Sequence, residues 1–170
     1  MTRRGLTPAR AAALCLAASA VLLVAVHIFD AFGYVPCPLC LHQREVHWLA
    51  LAVAAAALLL TTRPTTSGFA RIAVIALAVV YLGSAALAGY HAGVEYHWWP
   101  APPCEAGGGV INSADLLESL SRPSRAVPCD EAAWTLFGVS LAGYNFLASL
   151  LLAAVAAGGA LSRRRGKFFH

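Results

Sequence analysis

Residues 72–94 read IAVIALAVVYLGSAALAGYHAGV, twenty-three positions without one Asp, Glu, Lys or Arg. From Ile72 to Val80 the stretch is apolar on every helical face, whereas a helix of a soluble domain keeps a polar stripe with a period of about 3.6. A helix needs about 20 apolar residues to cross roughly 30 Å of hydrocarbon, and it is the open-chain element that satisfies its own backbone hydrogen bonds there. Three more charge-free windows accompany this one, at 11–29, 46–62 and 132–162. The second is the shortest and extends outward through Leu41 and Leu39. The fourth is longer than a span requires, and Gly158 with Gly159 is expected to mark a frayed inner end.

The fold class expected is therefore all-α. We expect a polytopic membrane protein, an antiparallel four-helix transmembrane bundle forming a single domain over 1–170. Spans fall at about 11–29, 41–62, 72–92 and 134–158, and outer loops at about 30–40 and 93–133, with no β-pattern between the spans. The competing fold, a soluble Ala-rich bundle, lacks its polar stripe. Composition agrees: 59% of residues are hydrophobic and 12% charged, against about 25% charged in an ordinary soluble domain. That excludes a disordered chain, a nucleic-acid-binding arm and a typical cytosolic enzyme.

The net charge of +4 gives no nucleic-acid partner, because the charges are segregated. Segments 1–10, 63–71 and 163–170 hold nine Lys or Arg and no acid. Segments 30–45 and 95–131 hold all eight acids and three arginines, Arg44, Arg122 and Arg125. Lys and Arg in short loops stay cytoplasmic. Both termini and the 63–71 turn are thus expected on the cytoplasmic side of the membrane, with the other two segments outside. A cleaved signal peptide ending near Ala18-Ser19-Ala20 competes with this reading. The apolar run continues to Phe29, however, and an uncleaved first span is simpler.

Four of the five cysteines fall in the two outward segments, two in each. Disulfides persist on the oxidising side of a membrane, so two disulfides are expected. Cys15 lies inside the first span and reads as a small apolar filler. Cys37 and Cys40 form a C-x-x-C within Pro36-Cys37-Pro38-Leu39-Cys40. The prolines keep the approach non-helical; Pro38 suits the first helical position, with Cys37 as the cap. Both sulfurs then lie at a helix N-terminus, where the dipole favours a thiolate. Such a pair is a redox device, or half of a zinc site completed by His42 or His47.

Cys104 and Cys129 enclose a loop bearing Gly107-Gly108-Gly109, which leaves Cys104 accessible for exchange. A plain loop staple is the alternative. Within that loop Asn112 can cap a short amphipathic helix through Ser121, lying on the membrane surface or packing on the bundle.

Arg44 follows Cys40 by one helical turn, where a cation lowers a thiolate pKa or binds a carbonyl oxygen. A snorkelling interfacial arginine is the alternative, and Glu45 is a candidate ion-pair partner. His27, His42, His47, His91 and His97 gather at the outer ends of spans or in outer loops and suggest proton handling. Trp98, Trp99 and Trp134 read as an interfacial aromatic belt.

These residues together resemble the DsbB and DsbI family of bacterial disulfide-bond formation membrane proteins, over roughly residues 12–160. The resemblance is carried by Pro36 through Arg44 after the first span, the cysteine pair in the second outer loop, and Trp134-Thr135-Leu136-Phe137-Gly138 before the last span. It implies a quinone-linked thiol oxidase. A reduced periplasmic DsbA-like thioredoxin-fold protein attacks the Cys104–Cys129 disulfide, and Cys104 forms the mixed disulfide. Cys129 then attacks Cys37, and Cys40 is released beside a ubiquinone or menaquinone that feeds the respiratory chain. By the same resemblance Arg44 supports quinone binding, and His91 is its candidate companion; no metal is implied. A vitamin K epoxide reductase-like oxidase is a rival, although its C-x-x-C lies late in the bundle. A disulfide-stapled or metal-binding structural membrane protein is another.

Overall fold

The computed structural model describes residues 6–62, 64–100 and 128–162. Four long helices dominate it: α1 (Pro8–Ala31), α2 (Pro38–Thr61), α3 (Ser67–Glu95) and α4 (Leu141–Leu161). All four are long and apolar enough to cross a membrane. At about 1.5 Å per residue even the shortest covers roughly 30 Å. The chain is an all-α polytopic membrane protein.

Cross-helix contacts give the directions. Arg44 near the start of α2 meets Asp30 at the end of α1. Cys37, capping α2, meets His91 near the end of α3. Gly159 at the end of α4 packs on Ala11 at the start of α1. Each helix therefore runs opposite to the one before it, and α4 closes the bundle against α1 and α3.

The core is built of small side chains. Ala50, Ala54 and Ala57 form one buried face of α2, opposed by Ala11, Ala12, Ala153, Ala156 and Ala160, with Val74, Leu77 and Tyr81 from α3. Large apolar residues point outward instead, among them Val21, Leu59, Ile72, Val79 and Leu151. In water this inversion would leave a patch no monomer tolerates. In lipid it is expected, because small residues let helices approach while large ones meet acyl chains. Gly159 belongs to this packing: a Cβ there would collide with that of Ala11. So Gly158 and Gly159 do not fray the helix, which runs on to Leu161.

The last helix starts later than its apolar window suggests, and the expectation of no β-pattern fails at one place. Residues 135–140 form a small hairpin, β1 (Thr135–Leu136) paired antiparallel with β2 (Val139–Ser140). Its two turn residues, Phe137 and Gly138, have φ of 50° and 78°, the pair of positive values that a type I′ hairpin turn requires. Tyr96 binds the hairpin to α3, donating its hydroxyl to Gly138 O at 3.0 Å. Ser140 then caps α4 by accepting the Gly143 N–H at 3.1 Å. The third helix starts at Ser67 rather than near 72, with a 3-10 turn at Pro64–Thr66 before it. The expected amphipathic helix 112–121, the tri-glycine and Cys104 lie outside the described residues.

Candidate functional site

The site forms where α2 begins. Cys37 has extended backbone (φ −74°, ψ 165°) and caps the helix, with Pro38 in its first turn. Its sulfur accepts the Cys40 N–H at 3.3 Å. Three residues of helix bring the two sulfurs to 3.1 Å, and both are free thiols. Cys37 is 5% exposed and packs in one apolar cluster with Val94 and Cys129, flanked by Leu39 and Cys40. Cys129 is itself disulfide-bonded. Cys129 thus contributes a sulfur to the wall around the Cys37–Cys40 pair.

Next to Cys37 stands His91 of α3, 1% exposed, with Nε2 3.5 Å from the sulfur. Glu95, one turn along, places a carboxylate oxygen 3.7 Å from the same nitrogen. The other oxygen of Glu95 is the buried side-chain atom without a hydrogen-bond partner among the described residues. The Cys37 thiol is drawn down to about 4, first because its thiolate is hydrogen-bonded by the Cys40 thiol, against burial, and then by the hydrogen bond from His91. The hydrogen bond from His91 and the position at the helix N-terminus both favour a thiolate at Cys37.

The polar surroundings are continuous. Gln43 donates Nε2–H to His91 Nδ1 at 2.7 Å and accepts Asn145 Nδ2–H at 2.7 Å. His47 meets Asn145 Oδ1 at 2.8 Å, and Ser19 Oγ lies 3.2 Å from His47 Nδ1. Ser19 also touches the Tyr81 hydroxyl at 2.7 Å. A cavity of about 150 Å³ opens between these groups and the lipid-facing side chains. Cys40, Arg44 and His47, on one face of α2, line it together with Gln43, His91 and Asn145; Leu22, Val26, Phe29 and Leu141 supply apolar walls. An apolar cavity of this size holds one benzene-sized ring.

The structure brings together five of the six residues singled out from the sequence, Cys37, Cys40, Arg44 and His91 around one pocket and Cys129 against Cys37; Cys104 lies outside the described residues. Glu45 is not the partner of Arg44. It pairs with His42 at 3.1 Å on the exposed side, because adjacent helical residues point about 100° apart. Arg44 instead pairs with Asp30, both guanidinium nitrogens reaching the carboxylate, one at 2.8 Å. His47 is not interfacial: it is 4% exposed, more than two turns into α2.

Neither His42 nor His47 approaches the cysteines to complete a metal site. The group whose ligand atoms converge is Cys37, Cys40 and His91, within 4.8 Å of one another. Gln43, however, donates to Nδ1, which leaves the ring proton on Nε2, the nitrogen facing the sulfurs. With its proton there, Nε2 is a donor toward the Cys37 sulfur. Asp30, Gln43, Ser19, Tyr81, Glu95 and Asn145 are site residues that sequence reasoning did not assign. Their only signal was polarity inside or at the edge of an apolar window.

Comparison with known proteins bears on this geometry. The family model described as disulfide bond formation protein DsbB matches residues 8–158. A protein named disulfide bond formation protein B 2 from Pseudomonas entomophila is 32% identical over 141 residues, 82% of each chain. Its namesake from Pseudomonas putida is 31% identical over 142 residues, 83% of each. No solved structure matches. With a family match spanning all four helices and the C-x-x-C, the chain belongs to the DsbB family of membrane oxidoreductases that form disulfide bonds.

Proposed function

We propose that this protein oxidises a periplasmic DsbA-like thiol-disulfide oxidoreductase and passes the electron pair to a membrane quinone. One observation carries the reading: the Cys37–Cys40 pair stands between two different neighbours. On one side Cys129 shares its buried cluster. On the other, Cys40 and Arg44 line a ring-sized, largely apolar cavity among the helices.

Thiol exchange needs a thiolate, an accessible target sulfur and pairs that can meet. The partner's thiolate attacks the Cys104–Cys129 disulfide; Cys104 joins the partner and Cys129 leaves as a thiolate. The partner's second thiol then releases its own disulfide, so one dithiol is oxidised for one disulfide reduced. Cys129 attacks Cys37 in the oxidised inner pair, displacing Cys40 toward the cavity, and Cys104 then attacks Cys129, which re-forms the Cys104–Cys129 disulfide and releases Cys37. Free Cys37 and Cys40 beside a disulfide-bonded Cys129 correspond to the inner pair loaded with electrons and the outer pair ready for another partner.

The cavity fits a quinone ring by size and lining. Arg44 supplies a permanent cation, because a guanidinium does not give up its proton. Gln43, His47 and Asn145 supply polar atoms deeper in. A bound quinone supplies the sink, taking two electrons and two protons. This chain's part is position and charge: α2 holds Cys40 at the cavity wall, Asp30 orients Arg44, and His91 with Glu95 borders Cys37 where thiol protons are lost.

Localisation in the bacterial inner membrane, with both termini cytoplasmic and the cysteine pairs periplasmic, belongs to this proposal and rests on the charge segregation. Absorbance of a soluble quinone analogue, followed with reduced thioredoxin-fold partner, tests it. Thiol-dependent reduction that vanishes in Cys37→Ser is the expected result; reduction that persists in Cys37→Ser removes the relay.

A further inference from the structure

The buried polar chain behind the cysteines has a direction, and the direction has a chemical consequence. Asn145 presents a carbonyl oxygen to His47 Nε2. A carbonyl only accepts, so the His47 ring carries its proton on Nε2, and its Nδ1 lies 3.2 Å from Ser19 Oγ. Asn145 then donates to Gln43, and Gln43 donates to His91 Nδ1. An amide N–H only donates, so His91 Nδ1 holds the lone pair and Nε2 holds the proton. That nitrogen lies 3.5 Å from Cys37 Sγ.

We propose that Gln43, Asn145 and His47 are positioning residues, which act as one unidirectional hydrogen-bond chain to lock His91 in the tautomer whose Nε2–H faces the Cys37 sulfur. The chain is built across three helices, Gln43 and His47 on α2, His91 on α3 and Asn145 on α4, with Ser19 of α1 beside its His47 end. Gln43, His47, His91 and Ser19 are buried. Reversing it requires both amides and both imidazoles to turn over together, in an interior where water does not replace a lost partner. Ser149 adds a brace, donating its hydroxyl to Asn145 Oδ1 at 3.3 Å.

The tautomer decides what His91 can do for Cys37. An Nε2–H donates to a thiolate and stabilises the charge. A bare Nε2 would accept the S–H instead and stabilise the neutral thiol. The charged and titratable groups around Cys37 make this choice matter. From α2 come Cys40 and Arg44; from α3, His91 and Glu95; from α1, Asp30, which is engaged by Arg44; from the segment before the hairpin, Glu131. Glu95 and Glu131 oppose a thiolate by charge, so the oriented Nε2–H offsets a negative surrounding.

The inference rests on the proposed relay for its purpose, but its test uses neither partner nor quinone. The reduced full-length protein, labelled with nitrogen-15 histidine in lipid nanodiscs, is expected to show both His91 and His47 as Nε2–H tautomers. An Nδ1–H tautomer at either ring overturns the proposal, and this measurement needs no variant. A thiolate absorbance titration, with Cys37→Ser subtracted, reads the Cys37 midpoint. Gln43→Leu is expected to raise it by about one unit, a tenfold fall in the acid constant. His91→Phe is expected to do the same, and the double variant no more than the larger single change. Should Gln43→Leu fail to fold, Asn145→Leu takes its place. A midpoint unmoved by Gln43→Leu or Asn145→Leu while His91→Phe shifts it, or unmoved by all of them, overturns the proposal. A relay that fails for other reasons would leave these tautomers and midpoints as expected while quinone reduction is lost.

Discussion

Asp30 at the end of α1 grips Arg44 on α2 with both carboxylate oxygens, and the pair stands where the cavity meets the Cys37–Cys40 dithiol. The bidentate geometry fixes the guanidinium plane. Cys40 and Arg44 line the same cavity one turn apart, so the salt bridge holds the cation beside the sulfur that faces the membrane.

From that relationship, Arg44→Ala is expected to weaken apparent quinone affinity by about tenfold or more, the worth of one charge-assisted contact. Asp30→Asn is expected to weaken it less, since the cation stays but its orientation loosens. The Michaelis constant for quinone, measured with saturating reduced partner, checks both. An unchanged constant in Arg44→Ala would return Arg44 to a snorkelling role.

The cysteines divide the reaction. Cys104→Ser is expected to abolish the mixed disulfide with the partner, trapped by acid quench and seen on non-reducing gels. Cys37→Ser is expected to keep that adduct while losing quinone reduction. Loss of the adduct in Cys37→Ser would mean that the two pairs do not act in the order proposed.

Acid should destabilise the reduced protein through Cys37. Its folded value of about 4 lies below the ordinary value of 9.0, so between those two the unfolded chain binds a proton that the folded chain does not. The stabilisation is complete above about pH 9 and is lost as pH falls through about 4. Thermal unfolding of the reduced protein in detergent is expected to shift to lower temperature from pH 7 to pH 4, with a shallower slope in Cys37→Ser. Equal slopes would remove the thiolate from Cys37.

Packing at the other end of the bundle makes a separate prediction. Gly159→Val places a side chain where Ala11 sits, and overpacking of this kind costs about 1–3 kcal/mol. A lower unfolding temperature with unaltered Cys37 titration is expected, because the site lies at the opposite end.

What the sequence disclosed follows from the range of the physics involved. Four charge-free windows gave four helices because hydrocarbon length and backbone satisfaction act locally. Cys37 as cap and Pro38 in the first turn were legible for the same reason, and helical spacing placed Arg44 on the Cys40 face. Asp30 was not legible as the partner of Arg44, being fourteen positions away across a helix turn, while Glu45 was adjacent and misleading. Asn145 meets Gln43 across 102 positions, and no local pattern encodes that. His91 was one of five histidines grouped by position and was tied to the site only by resemblance; its contact with Cys37 comes from α3 packing on α2. The hairpin at 135–140 hid within an apolar window because two residues per strand leave no alternation to read.

Electron transfer from an outer thiol to a lipid-soluble acceptor by way of Cys37 is best measured with purified protein, reduced thioredoxin-fold partner and a quinone in one cuvette. The account predicts stoichiometric quinol formation, one per partner disulfide, with none in Cys37→Ser. Quinol formation undiminished in Cys37→Ser, or partner oxidation with the quinone left oxidised, would contradict it.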